Sequence, residues 1–245
     1  MGPYFSLGQG TPPAGFAPLL DLYRPEGALA ERVAAAARQL RTAETRVAAS
    51  VLHLGLAARL CSVVLATATL GRALPALGPD VLLHRWPADG PLELWLPAPS
   101  AATAEPLAAA VHRTLVTEHL TPLHAALHGI TPVAPRLLWG NAASALAGSL
   151  QILHTRIAPA DPASAALALE LTQGLLAAPP LLGTGTLAPD EFSPPTAPQR
   201  LRRSTCCLFY RLPAGGTCGD CVFGTAPPRL RTSRAGTGPG APGLS

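Results

Sequence analysis

The chain has 245 residues and a formal net charge of +4 at pH 7, and its 18 strongly basic side chains are all arginine. The hydrophobic share of 48%, largely alanine and leucine, suffices for one substantial core or for one core with a small appended module. No aromatic-interleaved basic motif and no helix-turn-helix pattern occurs, which argues against a nucleic-acid partner.

Residues 1–25 are rich in Gly and Pro and are expected to be irregular. From Glu26 the pattern turns helical. Leu29, Val33, Ala36, Leu40 and Val47 recur at helical spacing, with Arg32, Arg38 and Arg41 off that face. A second helix is predicted from about Ser50 to Leu70, ended by Gly71. Its apolar run carries His53 and Arg59, so it reads as a buried helix and not as a membrane span.

The period then changes from helical to alternating. Val81 to Trp86 and Leu92 to Leu96 flank Pro-Ala-Asp-Gly-Pro and predict a β-hairpin, with Trp86 and Trp95 expected to pair across it. Thr103 is placed to cap a helix running to about His119, which Thr121 and Pro122 would interrupt. Further helices are predicted over about Pro135 to Ile157 and from Asp161-Pro162 through Ala177. Residues 179–198 read as a Pro-rich linker, 199–223 as a cysteine-bearing segment and 224–245 as a disordered tail. The expected fold is α+β: a predominantly helical body over 26–178, one β-hairpin and a C-terminal metal-binding segment.

Four of the five cysteines fall in that segment. Cys218 and Cys221 form a C-x-x-C knuckle able to place two thiolates on one tetrahedral ion. Cys206 and Cys207 are neighbours, so in a straight strand they would point to opposite faces. Both reach one centre if the backbone turns there, or if the centre is wide. A two-iron cluster is wider than one ion and takes two thiolates on each iron. Structural zinc normally uses two C-x2–4-C knuckles, and a redox dithiol normally opens a helix near a βαβ unit. Disulfides would need an oxidising compartment.

The pattern Cys206-Cys207-x10-Cys218-x-x-Cys221, with Leu208, Tyr210, Arg211, Leu212 and Pro213 between the pairs, closely resembles the C-terminal signature of the FhuF-like ferric siderophore reductases. The likeness runs from Arg200 to Phe223, with weaker similarity over Arg46 to Leu70 and Leu138 to Ser144. The resemblance implies a [2Fe-2S] cluster on Cys206, Cys207, Cys218 and Cys221. It implies one-electron reduction, in the cytoplasm, of an imported ferric siderophore of the hydroxamate class, releasing Fe(II). Two alternatives stand beside it: a siderophore-related binding protein with a structural four-cysteine zinc, and a [2Fe-2S] electron-transfer protein serving another oxidoreductase.

Arg200, Arg202, Arg203 and Arg211 flank the first cysteines. They are placed to offset the charge of a thiolate-bound cluster, and Arg202, Arg203, Arg211 and Trp139 are candidates for docking a substrate or partner. No nicotinamide or flavin fingerprint appears, so electrons are expected from a separate donor such as a ferredoxin, a flavodoxin or a reductase. His124 and His128 stand at i and i+4 without the glutamate of a zinc-protease motif, and read as packing or surface residues. Cys61 reads as a core residue. The N-terminus has neither a basic start nor an apolar leader core, in keeping with a cytoplasmic location.

Overall fold

The computed structural model describes residues 2–87, 90–101, 104–188 and 199–224. The hairpin tip at 88–89, the proposed cap Thr103, the second half of the Pro-rich stretch and the tail beyond 224 lie outside the described residues. The fold is α+β with a helical body, as the periodicity implies.

Helix α1 (Ala28–Gln39) buries Leu29 and Val33 and turns Arg32 and Arg38 outward. Helix α2 (Thr45–Gly71) is the centre of the molecule, packed by α1, α5 (Pro135–Ile157) and α6 (Pro162–Ala177). It is long and apolar enough to cross a membrane by length and composition, yet 72% of its apolar window is buried among its neighbours. Proline at the first turn starts both α5 and α6, where its missing N–H has no helical acceptor to lose. At α6 the Asp161 side chain accepts from the Ser164 N–H at 3.0 Å, a side-chain N-cap. Ser62 of α2 and Ser149 of α5 share a hydroxyl hydrogen bond of 2.9 Å inside the core.

The predicted break at Pro122 does not occur. Helix α3 (Leu107–His112) passes through a π-helical stretch, Arg113–Leu120, into α4 (Thr121–Ile130). Proline sits at the start of α4, where it lacks a donor the turn does not use. The Val116 carbonyl accepts both the Thr121 N–H and, at 2.8 Å, the Thr121 hydroxyl. One wide turn therefore absorbs the proline without ending the helix.

The hairpin forms as β3 (Leu83–Arg85) and β4 (Glu93–Leu96), and it belongs to a larger sheet. The segment expected to be irregular contributes β1 (Gly8–Gln9), parallel to β4, and β2 (Ala17–Pro18), antiparallel to β3, in the order β1-β4-β3-β2. The Trp86–Trp95 pair is not made, because the register sets Leu83 opposite Trp95 and Trp86 lies beyond the strand. Trp95 packs on Phe16 and donates its indole N–H to the Gly10 carbonyl, while Arg32 covers Trp86. A second sheet pairs β5 (Gly185–Ala188) antiparallel with β6 (Arg200–Arg203), and β6 packs on α5. This β-ribbon delivers the cysteine segment to the junction of α2 and α5.

Candidate metal centre

Strand β6 alternates outward and inward: Arg200 and Arg202 are exposed, Leu201 and Arg203 buried. The chain then crosses α5 at Gly140, where an added Cβ would lie 2.0 Å from the Thr205 hydroxyl. A larger residue there would force the Thr205 hydroxyl to rotate away. Directly after the Cys206–Cys207 pair the backbone turns through Leu208 at φ 66°, a left-handed conformation costly for a side chain branched beyond Cβ. The Leu208 N–H points back to the Cys206 Sγ at 3.3 Å. The turn that the adjacent cysteines require is therefore present. A single 3₁₀ turn over Phe209–Arg211 follows. Gly215 then closes the loop, with room for no Cβ, because the Phe209 carbonyl would stand 2.1 Å from it. Gly216 and Gly219 face open space, so the steric need for glycine in this loop falls on Gly215.

The knuckle folds back on the pair. The Cys207 and Cys218 sulfurs lie 3.6 Å apart. Two sulfurs bound at about 2.3 Å to one tetrahedral ion stand roughly 3.8 Å apart, so this pair already has the span of two ligands on one metal. The Cys218 S–H donates to the Cys207 sulfur, which lowers the Cys207 thiol to about 6 and raises Cys218. Burial is the main cause raising Cys206, with Cys207 and Cys221 adding to it through their charge. The Cys221 N–H closes the knuckle on the Cys218 carbonyl at 3.1 Å. Among the described residues no three His, Cys, Asp or Glu groups converge as a single ion would need. The Cys207–Cys218 pair suits two thiolates on one metal, a span that a zinc site and one iron of a two-iron centre share.

Several contacts hold the two halves of the segment together and to the body. Tyr210 and Phe223 meet edge to face at 5.6 Å. The Arg203 N–H donates to the Asp220 carbonyl at 3.2 Å, and the Ser144 hydroxyl donates to the Asp220 carboxylate. Arg211 donates to Glu44 at 2.8 Å, which holds the Glu44 carboxyl below its ordinary value and ties the loop to the start of α2. Ser50 of α2 donates to the Cys207 carbonyl at 2.7 Å. A cleft of about 420 Å³ opens beside the knuckle, lined by Arg202, Thr217, Cys218, Asp220 and Cys221 among others. A larger cavity near Arg59 and Trp95 contains no residue of the cysteine segment.

The docking candidates separate on this geometry. Arg202 is exposed at the cleft. Arg211 is committed to Glu44. Arg203 is buried and unavailable to a surface partner. Trp139 packs its ring against His124 at 4.3 Å, so it is a packing residue. His124 in turn bonds His53 of α2, Nε2 to Nε2 at 2.8 Å, while His128 faces the Val133 carbonyl. Cys61 is a fully buried core residue, its thiol pushed up to about 12 by burial. Ser50, Gly140, Asn141, Ser144 and Glu44 were not singled out by the sequence as parts of the site. The stretches of weaker similarity at 46–70 and 138–144 touched all of them but Glu44.

Comparison with protein families places this segment. The FhuF 2Fe-2S C-terminal domain matches residues 203–223, the stretch that holds all four cysteines. The resemblance read from the Cys-Cys-x10-Cys-x2-Cys spacing therefore holds, and the cofactor of that domain is a [2Fe-2S] cluster. No curated protein matches the chain.

Proposed function

We propose that the chain is a cytoplasmic ferric-siderophore reductase, reducing a hydroxamate-type Fe(III) chelate by one electron so that Fe(II) leaves. The observation that carries this reading is the FhuF-type domain at 203–223, folded so that Cys218 and Cys221 border an open cleft. Cys206, Cys207, Cys218 and Cys221 are the proposed ligands. When bound there, a [2Fe-2S] cluster supplies a one-electron relay between a donor protein and the chelate.

The chain's own residues supply the rest. Ferric iron is a hard, highly charged acid that anionic oxygen chelators grip tightly, and ferrous iron is held far less strongly. Bringing the chelate close to the relay is therefore the protein's main task. Arg202, exposed at the cleft, attracts an anionic chelate or an acidic donor. Gly219 lines the cleft without a side chain, which keeps the approach past the knuckle short. Glu44–Arg211, Ser144–Asp220 and Tyr210–Phe223 hold the loop fixed while a partner docks and leaves.

The test is chemical. Anaerobically purified protein should contain two irons and two acid-labile sulfides per chain and give an EPR signal on reduction with dithionite. Mixing the reduced protein with ferric hydroxamates should return the oxidised visible spectrum and produce Fe(II) trapped by a ferrous chelator. Cluster content without oxidation by hydroxamates, catecholates or citrate would assign the chain to electron transfer for another oxidoreductase. Colourless protein with one zinc would assign it to the binding class. The Cys207→Ser variant should lose at least half its iron and the EPR signal with it, and full cluster content in that variant would refute the ligand assignment.

A further inference from the structure

Arg203 is 3% exposed, and among the described residues no carboxylate forms an ion pair with it. Its Nη2 donates to the Asn141 Oδ1 at 2.6 Å, while its Nε and Nη1 are buried and have no partner in the protein. A buried guanidinium costs several kcal/mol unless an anion and acceptors face it. The nearest carboxylate on the loop, Asp220, is engaged by Ser144.

The surroundings show which anion is meant. The Arg203 peptide N–H is bound to Asp220, inside the knuckle. Its side chain is held by Asn141, whose amide donates to the Ser50 carbonyl at 2.9 Å and the Ser50 hydroxyl at 3.1 Å. Ser50 in turn donates to the carbonyl of Cys207. The cation is thus clasped between both halves of the cysteine segment. An added Cβ at Gly140 would stand 3.2 Å from the guanidinium, so α5 leaves it little room to move.

We infer that Arg203 is the internal counter-cation of the cluster, a buried guanidinium fixed by Asn141 and Ser50 that sets the reduction potential and so decides which ferric chelates the chain can reduce. The inference rests on the cluster reading above. Four thiolates leave an oxidised [2Fe-2S] centre dianionic, and reduction adds one more negative charge. A fixed positive charge in a low-dielectric site favours the more negative state, whereas an exposed arginine such as Arg202 is screened.

The experiment is an EPR-monitored redox titration of the full chain, purified without oxygen, with iron and sulfide counted in each sample. Arg203→Gln should lower the equilibrium constant for reduction at least tenfold, about 59 mV for one electron. Arg203→Lys, which keeps the charge, and Arg202→Gln should both stay within about threefold of wild type. If Arg203→Gln cannot hold the cluster and Arg203→Lys can, the charge is required and the inference stands. An unchanged potential in a fully loaded Arg203→Gln overturns it. So does an Arg203→Lys variant as impaired as Arg203→Gln, since shape and not charge would then matter. Wild-type protein without iron and sulfide sinks the cluster reading itself, an outcome distinct from these.

Discussion

Gly215 sits where the loop between the two cysteine pairs turns back on itself, and a Cβ there would meet the Phe209 carbonyl at 2.1 Å and the Leu212 carbonyl at 3.0 Å. Backbone atoms cannot swing aside as a side-chain tip can. Gly215→Ala should therefore cost about 1–3 kcal/mol and lower the iron bound per chain, while Gly219→Ala, facing open space, should leave both nearly unchanged. Urea unfolding and iron content of the two variants, prepared side by side, check this. The cysteines themselves were legible because thiol spacing is a local property of the chain. The burial of Arg203 was readable in principle: in a strand, residues 201 and 203 share a face, and Leu201 is apolar. What hid it was the run Arg-Leu-Arg-Arg, which reads as a solvated basic patch until a strand is placed on it. Ser50 and Asn141 lie in the stretches of weaker similarity, but their roles were not legible, since each meets the segment only through the packing of α2 on α5.

Helix α2 owes its place to a single charged side chain as well as to its apolar ones. Arg59 is 2% exposed and donates to three backbone carbonyls: Leu92 at 2.7 Å, Tyr4 at 2.5 Å, and Ser6. Burial lowers its pKa to about 10, so the side chain stays charged at neutral pH. These bonds attach the N-terminal segment and the entry to β4 to the middle of the longest helix. Hydrogen bonds from a charged donor are worth about 1.5–3 kcal/mol each, and solvent can replace those to the partly exposed carbonyls. Arg59→Leu should therefore lose about 2–4 kcal/mol in urea unfolding and open the first 25 residues to limited proteolysis. Arg85→Gln, which breaks the half-exposed pair with Glu93, should lose under about 1 kcal/mol. Long periodic helices were legible, and α5 begins and ends where its proline and its apolar period place it. Strands β1 and β2 were not, because two residues carry no period and their pairing is supplied by β4 and β3. The passage through Pro122 was missed for a related reason: a proline breaks an α-helix locally, and the π turn that accommodates it is a property of the surrounding packing.

The whole molecule carries a latent acid sensitivity that does not involve the cysteines. His119 is buried, its Nδ1 accepts from the Tyr23 hydroxyl at 2.6 Å, and its Nε2–H donates to the Leu77 carbonyl at 2.6 Å. Both ring nitrogens are satisfied in the neutral form, and burial lowers its pKa to about 4 from 6.5. The His53–His124 pair shifts in the same direction, chiefly through burial. Because the folded-state value lies below the unfolded one, the unfolded chain binds the proton first as pH falls. The stabilisation from a neutral His119 is therefore complete above about pH 6.5, declines as pH drops, and is gone near pH 4. The fall from 6.5 to about 4 corresponds to about 3 kcal/mol of stability. Cluster loss in acid would add its own slope, so the measurement has to isolate the imidazole. His119→Gln removes the titration. It should be less stable than wild type at pH 7.5, since the Tyr23 and Leu77 partners are no longer both matched. It should also lose about 3 kcal/mol less than wild type on going from pH 6.5 to pH 4. Urea unfolding at these pH values decides the matter: parallel curves for the two proteins would mean that His119 contributes nothing to the acid response, whatever the cluster does.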